Sequence, residues 1–344
     1  MASEPVPATS DRAQRMLADS QMAPYLVEHL RRTQGPDGPE DGYLCLAVAE
    51  NRLMWDLLVE KADAVRSVPP SAFTYDVMRG SPTFQEAVAR TLGDRLVGVP
   101  VDPEHLVAMA GAGSVVEALA WALVDPGGSV VIPTPSYSGY WNDIQSRIGL
   151  RVAPAHTSFD DDFRITADAL DRAAPPGEAG ALLLTNPSNP LGRCLAVDEI
   201  SEAVAWARGR GIPIIANEVY GLSVHRPGHF RSIVDVAGGF ADDLHHIWAL
   251  SKDLSASGLR VGVATTSNDD VRAVLIEHLY FAAVSGDTKH LTTLMLGDGS
   301  WLDRYLTAMR TRLADAYRTV ASILVDHGIG VVEAGSYSVA PKIN

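Results

Sequence analysis

The residue best suited to take part in a reaction is Lys252, in the segment Ala249–Asp253 that follows an apolar run. A lysine can form an imine with a carbonyl compound once a buried, cationic environment lowers its pKa. The segment Gly258–Gly262 comes next, and its Arg260 offers a planar fork of N–H donors that suits a phosphate. A Ser-Lys pair alone is more often a surface feature, so this interpretation depends on other segments.

A second segment has the composition of an anion-binding turn. Ala110–Ser114 contains Ala112 and Gly113 and lies between an apolar run and a predicted helix over Val115–Leu123. Small residues at a helix N-terminus leave N–H groups pointing outward, which favours binding of an anion. The same residues are equally typical of a plain turn.

Three further segments place polar and aromatic side chains directly after apolar runs. They are Pro133–Tyr140 with Tyr137, Thr185–Gly192 with Asn189, and Ile215–Tyr220 with Asn217 and Tyr220. Taken singly, Asn-Pro repeats mostly indicate tight turns. Most tyrosines in such places only pack.

The elements that must position these segments are short apolar runs, which alternate with helix-length stretches between about residues 83 and 270. The runs are Leu106–Ala110, Ser129–Pro133, Ala181–Thr185, Pro213–Ala216, His246–Leu250 and Val261–Thr265. They predict buried strands of a mainly parallel sheet, with functional loops at the carboxyl ends of the strands. Residues 25–65 are predicted to be mostly helical, with a break at Gly35–Gly42. An apolar residue every three or four positions predicts a long helix over Trp301–His327, followed by a strand over Ile329–Glu333.

Length and composition restrict the class of protein. A chain of 344 residues predicts one large domain and one smaller domain. We predict an N-terminal segment over residues 1–55 that contributes to the small domain. A large cofactor-binding domain over 56–295 follows, and 296–344 would form an interdomain helix and the start of a C-terminal small domain. The pattern predicts an α/β fold.

Charge, cysteine content and the lack of targeting patterns disfavour several classes of partner and location. The formal net charge of −14 disfavours nucleic acid and anionic membranes as partners, so an anionic cofactor needs a local trap. Cys45 and Cys194 provide neither a disulfide framework nor metal-ligand spacing. The N-terminal stretch lacks the apolar core of a secretory signal, and no later run reaches membrane-spanning length. We therefore predict a cytoplasmic enzyme without a metal.

In their order and spacing, these segments together resemble the class I/II aminotransferase family of fold-type I enzymes, which depend on pyridoxal 5′-phosphate (PLP). Within the family, the sequence is most similar to members like 1-aminocyclopropane-1-carboxylate (ACC) synthase. The likeness covers about residues 40 to 330 and rests on Leu46–Leu53, Gly80–Phe84, Thr185–Gly192 and Ser251–Asp253. It implies a large domain with a mainly parallel sheet and a smaller α+β domain.

The resemblance also implies a role for each matching residue. Lys252 would carry PLP as a Schiff base and then move the substrate α-proton. Tyr137 would stack on the pyridine ring, and Asn189 and Tyr220 would bind its phenolic oxygen. The groups implied at the phosphate are the amides of Ala112 and Gly113 with Ser114, Ser251 and Arg260. Tyr75, five residues before Gly80, would reach the phosphate of a neighbouring subunit, as would Thr288, and the active site would then require a homodimer.

Three departures from the family pattern stand out. Asn217 replaces an Asp that keeps the pyridine nitrogen protonated, so the electron sink should be weaker here. Either the chemistry tolerates this, or the sequence carries an introduced Asp→Asn change, or the protein is impaired. Ala249 replaces a serine that usually adds a phosphate contact. No arginine follows Arg318, although the family binds the substrate carboxylate with a later one, so we expect the sequence to be truncated.

Glu50 decides between two reactions that the resemblance allows. In ACC-synthase-like enzymes this glutamate is associated with S-adenosylmethionine (SAM), and the reaction is α-deprotonation followed by γ-elimination, γ-replacement or cyclisation. The alternative role of Glu50 is to stabilise an adjacent turn. The alternative function is an aminotransferase that acts between an L-amino acid and a 2-oxo acid. A non-enzymatic PLP-fold regulator is disfavoured because Lys252 is retained.

Overall fold

A computed structural model describes residues 9–18, 24–33, 41–43, 48, 50–175, 177–226, 228–332, 334–336 and 341–342. At its centre is a seven-stranded sheet with helices on both faces. Its strands are β1 (Leu106–Met109), β2 (Ser129–Thr134), β3 (Arg151–His156), β4 (Ala181–Thr185), β5 (Ile214–Asn217), β6 (Leu244–Ala249) and β7 (Gly262–Thr265). A separate two-stranded pair consists of β8 (Gly330–Val331) and β9 (Pro341–Lys342).

The strands of the large sheet lie in the order β1-β7-β6-β5-β4-β2-β3. β7 runs antiparallel to both neighbours, and the remaining pairs are parallel. This confirms the predicted α/β fold with a mainly parallel sheet. β4 has its predicted bounds, and the other predicted strands begin or end one or two residues from their expected positions. β3 was not predicted, because it is an edge strand whose ends, Arg151 and His156, are exposed.

The helices surround this sheet. They are α1 (Asp11–Ala18), α2 (Pro24–Thr33), α3 (Trp55–Val65), α4 (Pro82–Leu92), α5 (Ala112–Leu123), α6 (Gly139–Trp141), α7 (Ala167–Ala173), α8 (Val197–Gly209), α9 (Ile233–Val236), α10 (Leu250–Asp253), α11 (Asp269–Ala282), α12 (Gly286–Gly297) and α13 (Gly299–Asp326). α5 begins three residues before the predicted Val115. The long C-terminal helix agrees with its prediction to within two residues at each end. β8 is shorter than the predicted strand, whose last residue, Glu333, lies outside the described residues.

Alternate residues of the strands pack into two apolar clusters, one on each face of the sheet. Leu182 and Leu184 of β4 contribute to one cluster, and Leu183 contributes to the other. Every residue of β1, β5, β6 and β7 is buried, as expected for strands that helices cover on both faces. The proposed domain boundaries stay a prediction. Among the described residues, no helix is long and apolar enough to cross a membrane.

The direction of β7 determines which residues meet at the functional edge. The carboxyl ends of the parallel strands share one edge of the sheet, and β7 begins at that same edge because it runs the opposite way. Residues 250–261 form a short connection from β6 to β7, with Ala249 paired to Gly262. Lys252 and Arg260 therefore lie on one connection at the edge where the other polar segments end.

Candidate active site

Lys252 lies in α10, which begins immediately after β6. Its Nζ is 5.9 Å from the centroid of the Tyr220 ring. Burial lowers the pKa of the Lys252 ammonium group; the Glu50 carboxylate opposes this effect, and the Arg260 guanidinium adds to it. A lowered pKa favours the neutral amine, which is the form that attacks a carbonyl group and accepts a proton.

The next residue, Asp253, fixes the position of α10. Its fully buried carboxylate accepts hydrogen bonds from Leu222 N at 3.0 Å and from Trp248 Nε1 at 2.9 Å. The hydroxyl of Ser223 donates to the other carboxylate oxygen at 2.5 Å. Burial raises the pKa of Asp253 to about 7, and these hydrogen bonds oppose the rise. Since Asp253 is fixed in this way, the backbone that carries Lys252 is held against the neighbouring loop.

The N-terminus of α5 forms a cradle next to Arg260. Gly111 precedes the helix with a φ of 96° and, as a glycine, provides no side-chain cap. The amides of Ala112, Gly113 and Ser114 therefore face outward with the positive end of the helix dipole. A Cβ on Gly111 would lie 2.2 Å from Arg260 Nη2, so only glycine lets the guanidinium approach this closely.

A second glycine brings β7 to the same cradle. A Cβ on Gly262 would lie 2.5 Å from the carbonyl carbon of Gly111 and 2.6 Å from Ala112 N. The Arg260 guanidinium itself donates to Ala110 O at 3.5 Å and to Ser257 O at 3.2 Å. Ser114 Oγ also donates to Ala110 O, at 3.3 Å. Four residues predicted at a phosphate, Ala112, Gly113, Ser114 and Arg260, thus lie together, and Ser251 precedes Lys252 in α10.

Aromatic and amide groups form the other wall of the site. Asn189 Nδ2 donates to the Tyr220 hydroxyl at 3.1 Å, which joins the loops after β4 and β5. Asn217 Nδ2 donates to the hydroxyl of Tyr140 at 2.8 Å. The rings of Tyr137 and Tyr140 meet edge to face at 5.4 Å. These contacts join Asn189 to Tyr220 and place Asn217 and Tyr137 next to Tyr140, and the Tyr220 ring lies beside Lys252.

Glu50 lies beside the loop that carries Lys252 and Arg260. Its Oε1 accepts a hydrogen bond from Ser257 Oγ at 3.3 Å. Its Oε2 accepts from the guanidinium of Arg52, at 3.1 Å from Nε and 3.0 Å from Nη2. Its neighbours Ala47 and Ala49 lie outside the described residues. The carboxylate is thus close enough to the lysine to act on its pKa.

Tyr75 and Thr288 do not join this cluster within their own chain. Tyr75 is fully exposed, and Thr288 lies in the first turn of α12, where its hydroxyl accepts a hydrogen bond from Ser285. The buried Lys289 anchors the segment that carries Tyr75 by donating to Asp76 Oδ1 at 2.7 Å and to Val77 O at 3.1 Å. The Tyr75 side chain is therefore presented outward from a fixed support.

The comparison that identifies the family is a match to the model for aminotransferase class I and II, over residues 44–340. This chain belongs to the class I/II aminotransferase family. ACC synthase 6 of Arabidopsis thaliana is 32% identical over 315 residues, which cover 86% of this chain and 63% of that protein. The probable inactive ACC synthase-like protein 2 of Mus musculus is 31% identical over 329 residues, covering 91% of this chain and 56% of its own length. The chain thus spans less than two thirds of either relative.

A solved structure confirms the family fold. The aspartate aminotransferase from Thermus thermophilus with maleate superposes with a TM-score of 0.80 at 18% identity, covering 96% of this chain and 84% of that one. At this identity the match shows the fold alone. The predicted family, the fold-type I architecture and PLP as the cofactor of an aminotransferase-family enzyme are confirmed.

The residues at the sheet edge fit the chemistry of PLP. The N–H groups of the α5 cradle and of Arg260 can bind a phosphate, and a lysine with a lowered pKa can form an imine with an aldehyde. Tyr137, which is half-exposed, offers an aromatic face. The role of each of these residues remains a prediction, based on its position in the site.

The structure adds three site residues that sequence reasoning missed. Tyr140 and Thr185 share a hydrogen bond of 2.7 Å beside Asn217. The carboxylate of Asp143 faces the cradle, since its Oδ1 is 3.2 Å from where a Cβ on Gly113 would be. Thr185 and Tyr140 belong to the segments that we singled out, but only the fold reveals their contact. Asp143 follows Tyr140 by three residues, and nothing in its local sequence distinguishes it.

Asp143 should make phosphate binding dependent on pH. Burial raises its pKa to about 6, with Glu117 adding to the rise, so the carboxylate is neutral below this pH and repels a phosphate above it. We expect Asp143→Asn to strengthen PLP binding by roughly 10-fold at pH 8 and to change it little at pH 5. Titration of the apoprotein with PLP at both pH values measures this, and the ratio of variant to parent dissociation constants cancels the ionisation of the ligand.

The matched control is Asp270→Asn, which makes the same change on the exposed face of α11. It should leave PLP affinity unchanged at both pH values. Equal affinity of the Asp143→Asn variant and the parent at pH 8 would contradict the prediction.

Proposed function

We propose that this chain is a subunit of an ACC-synthase-like enzyme that acts on SAM. The reaction would be removal of the α-proton and loss of methylthioadenosine, followed by ring closure or by attack of another nucleophile on the γ-carbon. The observation that supports SAM is the place of Glu50, whose carboxylate lies against Ser257 in the loop that carries Lys252 and Arg260. A carboxylate at this position can attract a sulfonium cation.

In this proposal, different residues of the site bind different parts of PLP. Arg260 and the amides of Ala112 and Gly113 would hold the phosphate, and Tyr137 would cover one ring face. Asn189 and Tyr220, already joined by a hydrogen bond, would direct their polar groups at the ring oxygen. When bound, PLP supplies an electron sink that weakens the bonds at the substrate α-carbon.

Lys252 and Glu50 would perform the steps that belong to the protein. The neutral amine of Lys252 accepts the α-proton, and its lowered pKa keeps this form available. Glu50 holds the sulfonium so that the γ-carbon lies within reach of the α-carbon. The γ-carbon–sulfur bond then breaks with its electron pair on sulfur, which leaves as a neutral thioether. No oxidant or reductant is needed.

One observation favours the alternative, an aminotransferase between an L-amino acid and a 2-oxo acid. Glu50 already forms an ion pair with Arg52 at 3.0 Å, so part of its charge is neutralised before any sulfonium arrives. Transamination needs only the proton transfer by Lys252 and makes no use of a charge at residue 50. The two functions therefore differ in how strongly they depend on Glu50.

Glu50→Gln separates the two functions, since it keeps the shape of the side chain and removes its charge. Two charges at ~4 Å with an effective dielectric constant of ~20 attract by about 4 kcal/mol before desolvation, which cancels much of this. We expect turnover of SAM to fall roughly 10- to 100-fold, or about 1.4–2.8 kcal/mol. Mass analysis of methylthioadenosine and the four-carbon product measures the loss, beside a panel of uncharged amino acids with 2-oxoglutarate.

The matched control is Glu60→Gln on the exposed face of α3, which should turn over SAM like the parent. PLP binding and reaction of uncharged amino acids should be nearly unaffected in the Glu50→Gln variant. Release of methylthioadenosine at the parental rate by Glu50→Gln would remove the main support for SAM. Keto-acid products from the amino-acid panel would then establish the aminotransferase.

The same proposal includes a homodimer with shared active sites. The aromatic side chains of Phe73, Tyr75, Tyr280 and Phe281 are all exposed in a single chain. Exposed aromatic groups of this size commonly mark a protein–protein interface. We propose that a second copy covers them and that Tyr75 and Thr288 complete the neighbouring phosphate site.

A further inference from the structure

Three neutral polar groups meet at the carboxyl ends of β4 and β5. Thr185 and Asn217 are paired in register on these two strands. The Tyr140 hydroxyl bridges them, with hydrogen bonds of 2.7 Å to Thr185 Oγ1 and 2.8 Å to Asn217 Nδ2. Tyr140 and Asn217 are almost completely buried, at 2% and 5% exposure. The group therefore places hydrogen-bond donors and acceptors, but no charge, beside the ring-binding residues.

The hydrogen bonds determine which end of the Asn217 amide is occupied. Its Oδ1 accepts from the Val219 amide at 3.4 Å, and its Nδ2 gives one of its two hydrogens to Tyr140. A carboxamide has two N–H donors, so one N–H remains for another acceptor. The Val219 amide therefore fixes which way the carboxamide is turned, and Nδ2 keeps one N–H that can still donate.

Among the described residues, the two carboxylates nearest to Asn217 in sequence or through Tyr140, Glu218 and Asp143, are both directed elsewhere. Glu218 is the next residue, but its side chain is fully buried elsewhere and accepts from Ile233 N at 2.6 Å and Ser232 Oγ at 2.7 Å. The titratable groups that act on Tyr140 are Tyr220 and Asp143. Asp143 faces the phosphate cradle, and Tyr220 is bound to Asn189.

We propose that Asn217 donates a hydrogen bond to an unprotonated ring nitrogen of PLP, so that this enzyme works with a neutral cofactor ring. The inference rests on the proposed function in one respect, which is that PLP binds between Lys252 and Tyr140. A neutral pyridine nitrogen is an acceptor and pairs with the N–H that Asn217 keeps, whereas a protonated one would need the carboxamide oxygen, which is turned toward Val219. A proton there would also be an uncompensated buried charge.

A neutral ring would make Asn217 a specificity-determining residue. A neutral pyridine ring would withdraw less electron density than a protonated one. More of the negative charge left by α-proton removal would then stay on the substrate α-carbon. That carbon is then the better nucleophile toward its own γ-carbon, and transfer of the proton to the cofactor, which transamination needs, is slower. We therefore expect Asn217→Asp to raise transamination relative to methylthioadenosine release by about 10- to 100-fold.

Nitrogen-15 NMR of the protein loaded with ¹⁵N-labelled PLP tests the protonation state without substrate. The parent should show a neutral pyridine signal that does not move between pH 6 and pH 9. Asn217→Asp should shift the signal upfield to the pyridinium position. Asn217→Leu, which removes the donor at similar volume, should keep the nitrogen neutral and move its signal toward that of a pyridine without a hydrogen bond.

The outcomes separate the two proposals. A pyridinium signal in the loaded parent overturns the inference about Asn217. The same signal in Asn217→Leu and in the parent also overturns it. Either result leaves the proposed function intact. Failure of the parent to take up labelled PLP refutes the proposed function and this inference together. Should Asn217→Asp fold poorly, the comparison of parent and Leu variant still decides the question.

Discussion

Replacing Lys252 by alanine is expected to abolish covalent attachment of PLP and to lower turnover at least about 1000-fold, roughly 4 kcal/mol of activation free energy. The structure supports so large an effect because Lys252 lies at the functional edge of the sheet, beside Arg260 and Tyr220. Borohydride reduction of the parent followed by peptide mass analysis should place the pyridoxyl group on Lys252. The same treatment of Lys252→Ala should leave the protein unlabelled.

The other lysines with described side chains provide the control for this experiment. Lys61 pairs with Asp298 at 2.7 Å, and Lys289 pairs with Asp76 at 2.7 Å, so both amines are engaged in ion pairs away from the cradle. Lys61→Met should be labelled by borohydride as well as the parent is. An adduct on Lys61 or Lys289 in the parent would overturn the assignment of the cofactor lysine.

The second large effect is recovery of activity when two inactive variants are mixed. Lys252→Ala removes the cofactor lysine, and Tyr75→Ala removes the side chain that would reach the partner's phosphate. After subunit exchange at equal amounts, half of the dimers are mixed, and each mixed dimer has one site with both residues. We therefore expect about 25% of the parental activity, from two proteins that are each nearly inactive.

Two observations would argue against shared sites. One is a mixture no more active than its components although exchange has been verified by mass. The other is full activity of the parent at dilutions where light scattering shows a monomer. Phe73→Ala mixed with Lys252→Ala is the control for a general effect on association, because Phe73 and Tyr75 both lie in the exposed segment but only Tyr75 is assigned a role at the phosphate.

The ends of the parallel strands could be predicted because the information is local. An apolar run followed by polar residues, as in Ala181–Thr185, marks a buried strand and the edge at which it ends. This pattern alone is enough to place Asn189, Asn217 and Lys252 at one edge of the sheet. The direction of β7 could not be predicted in the same way, because a four-residue apolar run has the same appearance in a parallel and an antiparallel strand.

The contacts within the site were less predictable than its position. The hydrogen bond from Asn217 to Tyr140 joins residues 77 positions apart, and it depends on the strand register and on side-chain orientation. The presence of Asp143 in the site follows only from its closeness to Gly113 in the folded chain. The role assigned to Tyr75 stays a prediction for a different reason: its expected partner belongs to another copy of the chain.

The single connection from β6 to β7 has a consequence for how this protein can vary. Lys252 and Arg260, the proposed anchors for the aldehyde and the phosphate of one small molecule, are separated by seven residues of one turn between two hydrogen-bonded strands. Inserting or deleting even one residue there would change the distance between the two anchors. Loops elsewhere on a scaffold commonly absorb such length changes. We therefore expect natural and engineered diversity at this edge to arise by substitution, with the length of this turn kept constant.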